Sequence, residues 1–195
     1  MANSFTTQQI DKLGNALIYL SKNVGDFNKT KILKLLFLLE ESSIKKFGHP
    51  FFGFDFQLWK FGPVLNDVYI DLSEDGLPLL KDYIKRIDLN KSEFEAAKDF
   101  NDDEFSDNDI NLMDTIINFA RNKTAKDLVD HTHTDKSLWK QSAINCGIFE
   151  QLEAQKTPST NYLIDFSLLF EDNSFLKVRY EGSKNNLQFI NNLKR

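Results

Sequence analysis

The sequence predicts a mainly α-helical domain with a short extended segment near residues 51–59 and a β-hairpin near the C-terminus. Apolar residues recur every three or four positions along much of the chain, which is the period of an amphipathic helix. Residues that cap helices, such as Thr6 and Asn28, precede several of these stretches. Only between Phe52 and Leu58 does the apolar period become two, as in a strand.

One apolar stripe predicts each of the first two helices. The first is capped by Thr6 or Thr7, and its stripe is Ile10, Leu13, Leu17 and Leu20. The second begins at Asn28 or Thr30 and ends at Gly48, because glycine readily adopts the left-handed conformation after a helix. Its apolar face is broad, which predicts a central helix that packs on more than one side.

The extended segment is followed by a turn and a third helix. Gly62 permits a backbone turn that is closed to other residues, and Pro63 suits the first position of a helix. The short helix that follows is predicted to bury one apolar side, made of Val64, Leu65, Val68, Tyr69 and Leu72.

Weaker patterns lie between residues 73 and 109. Helices are predicted over 78–87 and 93–100, and residues 101–109 form an acidic surface loop. The alternative is that this loop attracts a basic partner or holds a divalent ion. It lacks, however, the glycine and the spaced glutamate of a calcium-binding loop.

Three further helices are predicted beyond this loop. Ser106 and Asp109 have the spacing of a capping box and open the first of them. Thr124 caps a short second helix. The third begins at Trp139 and is expected to be irregular at Gly147.

The domain organisation follows from a change in the sequence pattern after Pro158, where helical spacing gives way to two short apolar segments separated by a polar turn. Residues 1–157 are expected to form the helical domain, and residues 158–195 a C-terminal extension packed on it. Within the extension, 163–170 and 175–180 flank a polar turn and are predicted to form the β-hairpin. A helix over 159–170 is the alternative.

Composition excludes several classes of protein. The formal charge of −5 counts against a non-specific nucleic-acid binder, so DNA binding is not expected. No secretory signal is visible at the N-terminus, and the longest apolar stretch, residues 32–39, is far shorter than the roughly 20 residues that a bilayer requires. A cytoplasmic protein without membrane association is therefore expected.

Few residues indicate catalysis. No phosphate loop, nucleophile elbow or metal-binding helix motif occurs, and the single cysteine, Cys146, is interpreted as a small core residue. His131 and His133 could chelate a transition metal if His49 or Asp135 supplied a further ligand. The alternative is that His133 hydrogen-bonds a helix end while His131 faces solvent. The prediction is a protein without enzymatic activity, cofactor or metal.

Three lysines cluster at the start of the second helix. Lys29, Lys31 and Lys34 are interpreted as the solvated edge of an amphipathic helix. The alternative is a small basic patch for an acidic partner.

Three sequence motifs carry a family resemblance. They are Lys31-Ile-Leu-Lys-Leu-Leu-Phe-Leu38, Trp59-Lys-Phe-Gly-Pro-Val64 with Val68-Tyr69, and Leu128-Val-Asp-His-Thr-His133 with Ser137-Leu-Trp139. In this order they resemble the Panacea domain of SocA-like antitoxins. The resemblance implies an α-rich fold and an antitoxin of a bacterial or phage toxin–antitoxin system.

The resemblance also implies a partner. The chain is expected to neutralise a cognate protein toxin, encoded by an adjacent gene, by direct binding. One alternative is an adaptor that delivers a toxin to a protease, and a weaker one is a metal-dependent enzyme using His131 and His133. The residues that carry the resemblance are expected to be structural; they are Lys31, Lys34, Trp59, Phe61, Gly62, Pro63, Val64, Tyr69, His133, Ser137 and Trp139.

Overall fold

The computed structural model describes residues 5–88, 92–154, 156–170 and 174–193. Within these ranges the protein is mainly helical, as predicted, and contains two small antiparallel hairpins. The helices are α1 (Thr7–Asn23), α2 (Lys29–Phe47), α3 (Asn66–Asp71), α4 (Asp107–Ala120), α5 (Ala125–Thr132), α6 (Leu138–Asn145), α7 (Phe149–Glu153) and α8 (Phe175–Leu193). The strands are β1 (Gln57–Trp59), β2 (Gly62–Val64), β3 (Ile84–Asp88) and β4 (Glu93–Ala96).

Side-chain caps determine where four of these helices begin. The hydroxyls of Thr6, Ser106 and Thr124 and the amide oxygen of Asn28 each accept a hydrogen bond from a backbone N–H in the first turn. Gly48 ends α2 at φ +61°, where glycine is favoured. These predicted boundaries are confirmed. None of the helices in the described ranges combines the length and the apolar character needed to cross a membrane.

Helix α2 lies at the centre of the core. It packs against α4, α5 and β2, and its residues from Lys31 to Glu40 are all buried. The ring of Phe37 lies 5.6 Å from that of Phe56 and 6.0 Å from that of Phe166, between centroids. The broad apolar face of this helix therefore packs on several sides, as predicted.

The extended segment forms a hairpin with the residues that follow it. Trp59 pairs with Gly62 across a two-residue turn, and Leu58 lies opposite Pro63. The prediction that Pro63 begins a helix is wrong, since it lies in β2 and α3 begins at Asn66. The N–H of Leu58 donates away from β2, to the carbonyl of Tyr162 at 2.8 Å. The position opposite Leu58 therefore needs no donor and accommodates proline.

The second hairpin replaces the helices predicted over 78–87 and 93–100. Strands β3 and β4 pair antiparallel and bury Ile84 and Phe94. Two backbone hydrogen bonds attach β4 to the loop before α2, because Phe94 N–H donates to the Phe27 carbonyl at 3.0 Å and Lys29 N–H to the Ser92 carbonyl at 3.2 Å. These contacts between distant segments favour strands over local helix.

The predicted C-terminal β-hairpin is wrong. Residues near Leu163 run alongside β1, where Ile164 N–H donates to the Phe56 carbonyl at 2.8 Å. They lead into a 3₁₀ turn (Phe166–Leu169) and not into the alternative helix over 159–170. Instead of a second strand, 175–180 belongs to α8, which buries Tyr180. Of the turn predicted at 171–174, residues 171–173 lie outside the described residues.

Candidate functional site

The three motifs meet at the β1–β2 hairpin. Three of its backbone carbonyls, those of Trp59, Lys60 and Pro63, are contacted by a side chain of another motif. Lys34 Nζ of α2 donates to the Pro63 carbonyl at 3.0 Å. His133 Nε2, after α5, lies 3.0 Å from the Lys60 carbonyl, and Trp139 Nε1 of α6 donates to the Trp59 carbonyl at 2.9 Å. Three carbonyls of the hairpin thus receive polar contacts from side chains of three helical segments.

Lys34 is buried beneath the hairpin. Burial lowers the pKa of its ammonium group to about 7, and no ion pair reaches it from the residues that the structure describes. Gly62 lies above it with φ +97°. A Cβ atom at Gly62 would lie 2.8 Å from both Lys34 Nζ and Thr132 Oγ1. The glycine is therefore required for its backbone conformation and for the space that it leaves.

Lys31 is also buried and donates to the Gly25 carbonyl at 2.7 Å. Burial lowers the pKa of Lys31 below its ordinary value. The predictions of a solvated edge and of a basic patch are thus both wrong for Lys31 and Lys34, because each ammonium group reaches a backbone carbonyl inside the fold. Lys29 alone of the three lies at the surface, where its Nζ is 4.4 Å from the ring centroid of Tyr69.

Both ring nitrogens of His133 are engaged. Nδ1 lies 2.7 Å from the Val129 carbonyl and Nε2 3.0 Å from the Lys60 carbonyl. Carbonyl oxygens only accept hydrogen bonds, so a ring nitrogen that carries a proton donates to the carbonyl beside it. The ring also packs 4.1 Å from that of Trp139. His133 therefore joins the end of α5 to the hairpin, as the structural alternative predicted.

The two histidines do not converge on one point. His131 lies at the surface, with its ring centroid 4.9 Å from that of Phe119. Its pKa is lowered, mainly because part of the ring is removed from water and secondly because the positive charge of Lys123 is nearby. Asp135 pairs instead with Lys140 at 2.7 Å. No group of three or more His, Cys, Asp or Glu side chains is placed to hold a metal ion in the described part of the chain.

The other motif residues divide into one exposed side chain and several structural ones. Ser137 caps α6 by accepting from Lys140 N–H at 3.2 Å, and Val64 is buried in the core. The Trp59 ring packs 4.8 Å from that of Tyr69. Phe61, in the hairpin turn, is 62% exposed. Sequence reasoning grouped Phe61 with the structural residues, whereas its ring points away from the core.

Two carboxyl groups of α2, the buried Glu40 and the half-buried Glu41, were not singled out from the sequence. Glu40 accepts from Phe52 N–H at 2.7 Å and from Gly53 N–H at 3.1 Å, and burial raises its pKa to about 7. Burial also raises the pKa of Glu41 to about 7. Glu41 lines a cavity of about 410 Å³ together with His131 and Ser137. The signal in the sequence was two glutamates directly after an apolar stretch in a helix with a broad apolar face.

Comparisons with known proteins agree with this geometry. A family model described as the antitoxin SocA-like, Panacea domain matches residues 32–140, a range that contains the hairpin and its three donors. No match was found among curated proteins, and none among solved structures. Because the family model covers more than half of the 195 residues, the chain belongs to the SocA-like antitoxin family that carries a Panacea domain.

Proposed function

We propose that this protein is the antitoxin of a toxin–antitoxin system and neutralises a cognate protein toxin, encoded by an adjacent gene, by binding it directly. The family match over residues 32–140 carries this proposal. The matched region includes Lys34, His133 and Trp139 together with the carbonyls that they bind. The matched region therefore contains the residues that hold the β1–β2 hairpin in place.

We also propose that the protein acts by binding and not by catalysis. Three of the polar motif side chains that could serve as acid, base or ligand, Lys31, Lys34 and His133, are engaged with backbone carbonyls. Such hydrogen bonds favour a structural role for these groups. The free thiol of Cys146 agrees with action in the reducing cytoplasm.

Co-expression with the adjacent gene tests the proposal. The two genes are placed under separately inducible promoters, and growth is followed with either gene alone and with both. We expect the neighbour alone to arrest growth and this protein to restore it, with both chains co-purifying as one complex. A neighbour that is harmless alone, or an arrest that persists beside soluble antitoxin, would contradict the proposal.

The half-life of the toxin separates neutralisation from delivery to a protease. After synthesis is blocked, direct neutralisation leaves the toxin present in the complex for as long as the antitoxin persists. An adaptor would instead shorten the half-life of the toxin, and deleting the host protease would lengthen it again. Rapid loss of toxin in the presence of this chain would therefore replace direct neutralisation with the adaptor function.

A further inference from the structure

We propose that the turn of the β1–β2 hairpin, Lys60 and Phe61, inserts into an apolar pocket with an acidic rim on the cognate toxin. This inference rests on the proposed antitoxin function and identifies the part of the surface that performs it. It is carried by three independent features of the turn, which are the exposure of Phe61, the rigidity of the backbone beneath it, and the charge beside it.

Phe61 lies exposed at the tip of the β1–β2 hairpin. Its ring is 62% exposed, although the aromatic residues on either side of it in the motifs, Trp59 and Tyr69, pack against each other at 4.8 Å. An apolar ring at the tip of a hairpin remains in contact with water unless a partner covers it. Aromatic side chains are enriched in protein–protein interfaces relative to the rest of the surface, which makes this exposed ring a suitable contact for a partner.

The backbone that carries Phe61 is held on both sides of the turn. The carbonyls of Trp59 and Lys60 bind Trp139 and His133, and the N–H of Lys60 donates to the Pro158 carbonyl at 3.1 Å. A side chain on a fixed backbone loses less conformational freedom when it is buried by a partner. Rigidly held aromatic residues of this kind often dominate the affinity of an interface.

Charge identifies the chemistry of the partner. The ammonium group of Lys60 lies 4.5 Å from the centroid of the Phe61 ring, and Lys60 forms no ion pair with any described residue. Lys29 lies in the same way over Tyr69, at 4.4 Å. The hairpin turn therefore presents a positive charge beside an exposed aromatic ring, on a protein of net charge −5. Acidic groups around an apolar pocket complement such a turn.

A second exposed apolar surface provides the matched control. Helix α8 carries Phe175, which is 77% exposed, with Val178 and Phe189 on the same side. Nothing in the described residues indicates what covers this side, so no partner is assigned to it. Phe175→Ala removes the same side chain as Phe61→Ala from an even more exposed position.

The test measures toxin binding by variants of the turn. Phe61→Ala, Lys60→Glu and Phe175→Ala are purified, and each is titrated with the toxin encoded by the adjacent gene. We expect Phe61→Ala to weaken the affinity by about 10- to 100-fold, as for the central residue of an interface. Lys60→Glu should weaken it as well and reduce its dependence on salt, whereas Phe175→Ala should leave it unchanged. Melting temperatures equal to that of the wild type show that each variant is folded.

The outcomes separate this inference from the proposed function. If the wild-type protein neither binds nor neutralises the toxin, the antitoxin function and the inference both fail. If the wild type binds and folded Phe61→Ala binds equally well, the inference alone is overturned. Weakening by Phe175→Ala without weakening by Phe61→Ala would also overturn it, because the interface would then lie on α8. If the toxin is degraded and not held, slower degradation with Phe61→Ala supports the inference.

Discussion

The indole N–H of Trp139 donates a 2.9 Å hydrogen bond to the carbonyl of Trp59, across 80 residues of sequence. The same indole packs against His133, whose imidazole binds the neighbouring carbonyl of Lys60. Two side chains that touch each other thus bind two consecutive carbonyls of the hairpin. Removing either one is expected to disturb both the packing and the polar contacts of the turn.

Truncation of Trp139 should separate these two contributions. Trp139→Ala is expected to cost about 3–5 kcal/mol, because the ring is buried and its loss leaves a cavity. Trp139→Phe keeps much of the ring but removes the donor to Trp59, and should cost about 1–2 kcal/mol. Urea unfolding measures both values. A loss below about 1 kcal/mol for the alanine variant would show that this ring does not stabilise the core.

Substitution of Gly62 should destabilise the hairpin. Gly62→Ala places a Cβ atom 2.8 Å from Lys34 Nζ and requires a non-glycine residue at φ +97°. A loss of about 1–3 kcal/mol is expected from backbone strain alone. Gly182→Ala is the control, since that glycine lies within α8 and a Cβ atom there meets nothing within 4 Å. The control should raise stability slightly, by about 0.5–1 kcal/mol. Equal melting temperatures for the two variants would contradict the assigned turn.

Two buried charges should give the protein a stability minimum near neutral pH. The pKa of Lys34 falls from 10.5 to about 7 on folding, so between these values the unfolded chain binds the extra proton and stability rises with pH. The pKa of Glu40 rises from 4.5 to about 7. Between pH 4.5 and about 7 the folded protein therefore binds the extra proton, and the free energy of unfolding falls as pH rises. Each group contributes up to about 1.4 kcal/mol per pH unit.

Single substitutions show which group causes the fall in the free energy of unfolding below about pH 7 and which causes the rise above it. Lys34→Met should reduce the increase in the free energy of unfolding above about pH 7, to which Lys31 also contributes because its pKa is lowered as well. Glu40→Gln should reduce the decrease below pH 7. Glu41 contributes in the same direction as Glu40, because its pKa is also raised to about 7. Urea midpoints at about pH 5, 7 and 9 suffice for the measurement. A slope above neutral pH that is unchanged in Lys34→Met would assign it to another group.

Metal content tests the remaining role for the histidine pair. His133 binds two carbonyls through its ring nitrogens, and His131 packs against Phe119. We therefore expect purified protein to contain much less than one equivalent of zinc or another transition metal. Elemental analysis after dialysis, with the His133→Gln variant in parallel, provides the measurement. Stoichiometric metal that disappears in the variant would require a rearranged site.

The sequence predicts those features that depend on neighbouring residues. The caps at Thr6, Asn28, Ser106 and Thr124 and the glycine at the end of α2 are confirmed because each involves residues within one or two turns. The second hairpin was missed because β4 is attached to the loop before α2, through contacts of Ser92 and Phe94 that span more than 60 residues. Local periodicity carries no information about such contacts.

Contacts between distant residues also limited what could be predicted for the candidate site. The three motifs identified the residues that meet at the hairpin, but not how they meet. Lys34 was expected at the surface because lysines seldom lie inside a protein, and its partner is a carbonyl 29 residues away. Likewise, the exposure of Phe61 follows from the direction of a turn, which the residue types alone do not specify.

The contacts of Lys34, His133 and Trp139 with the hairpin carbonyls also imply an order in which the hairpin is completed during synthesis. Their sequence separations are 29, 73 and 80 residues, and contacts between distant residues form slowly because long loops must close first. While the ribosome is still making the segment before α5, the nascent hairpin has Lys34 beneath it but lacks His133 and Trp139. The turn therefore gains all its contacts only after Trp139 and Pro158 have emerged. A product that stops earlier carries Phe61 on a strand pair that lacks them.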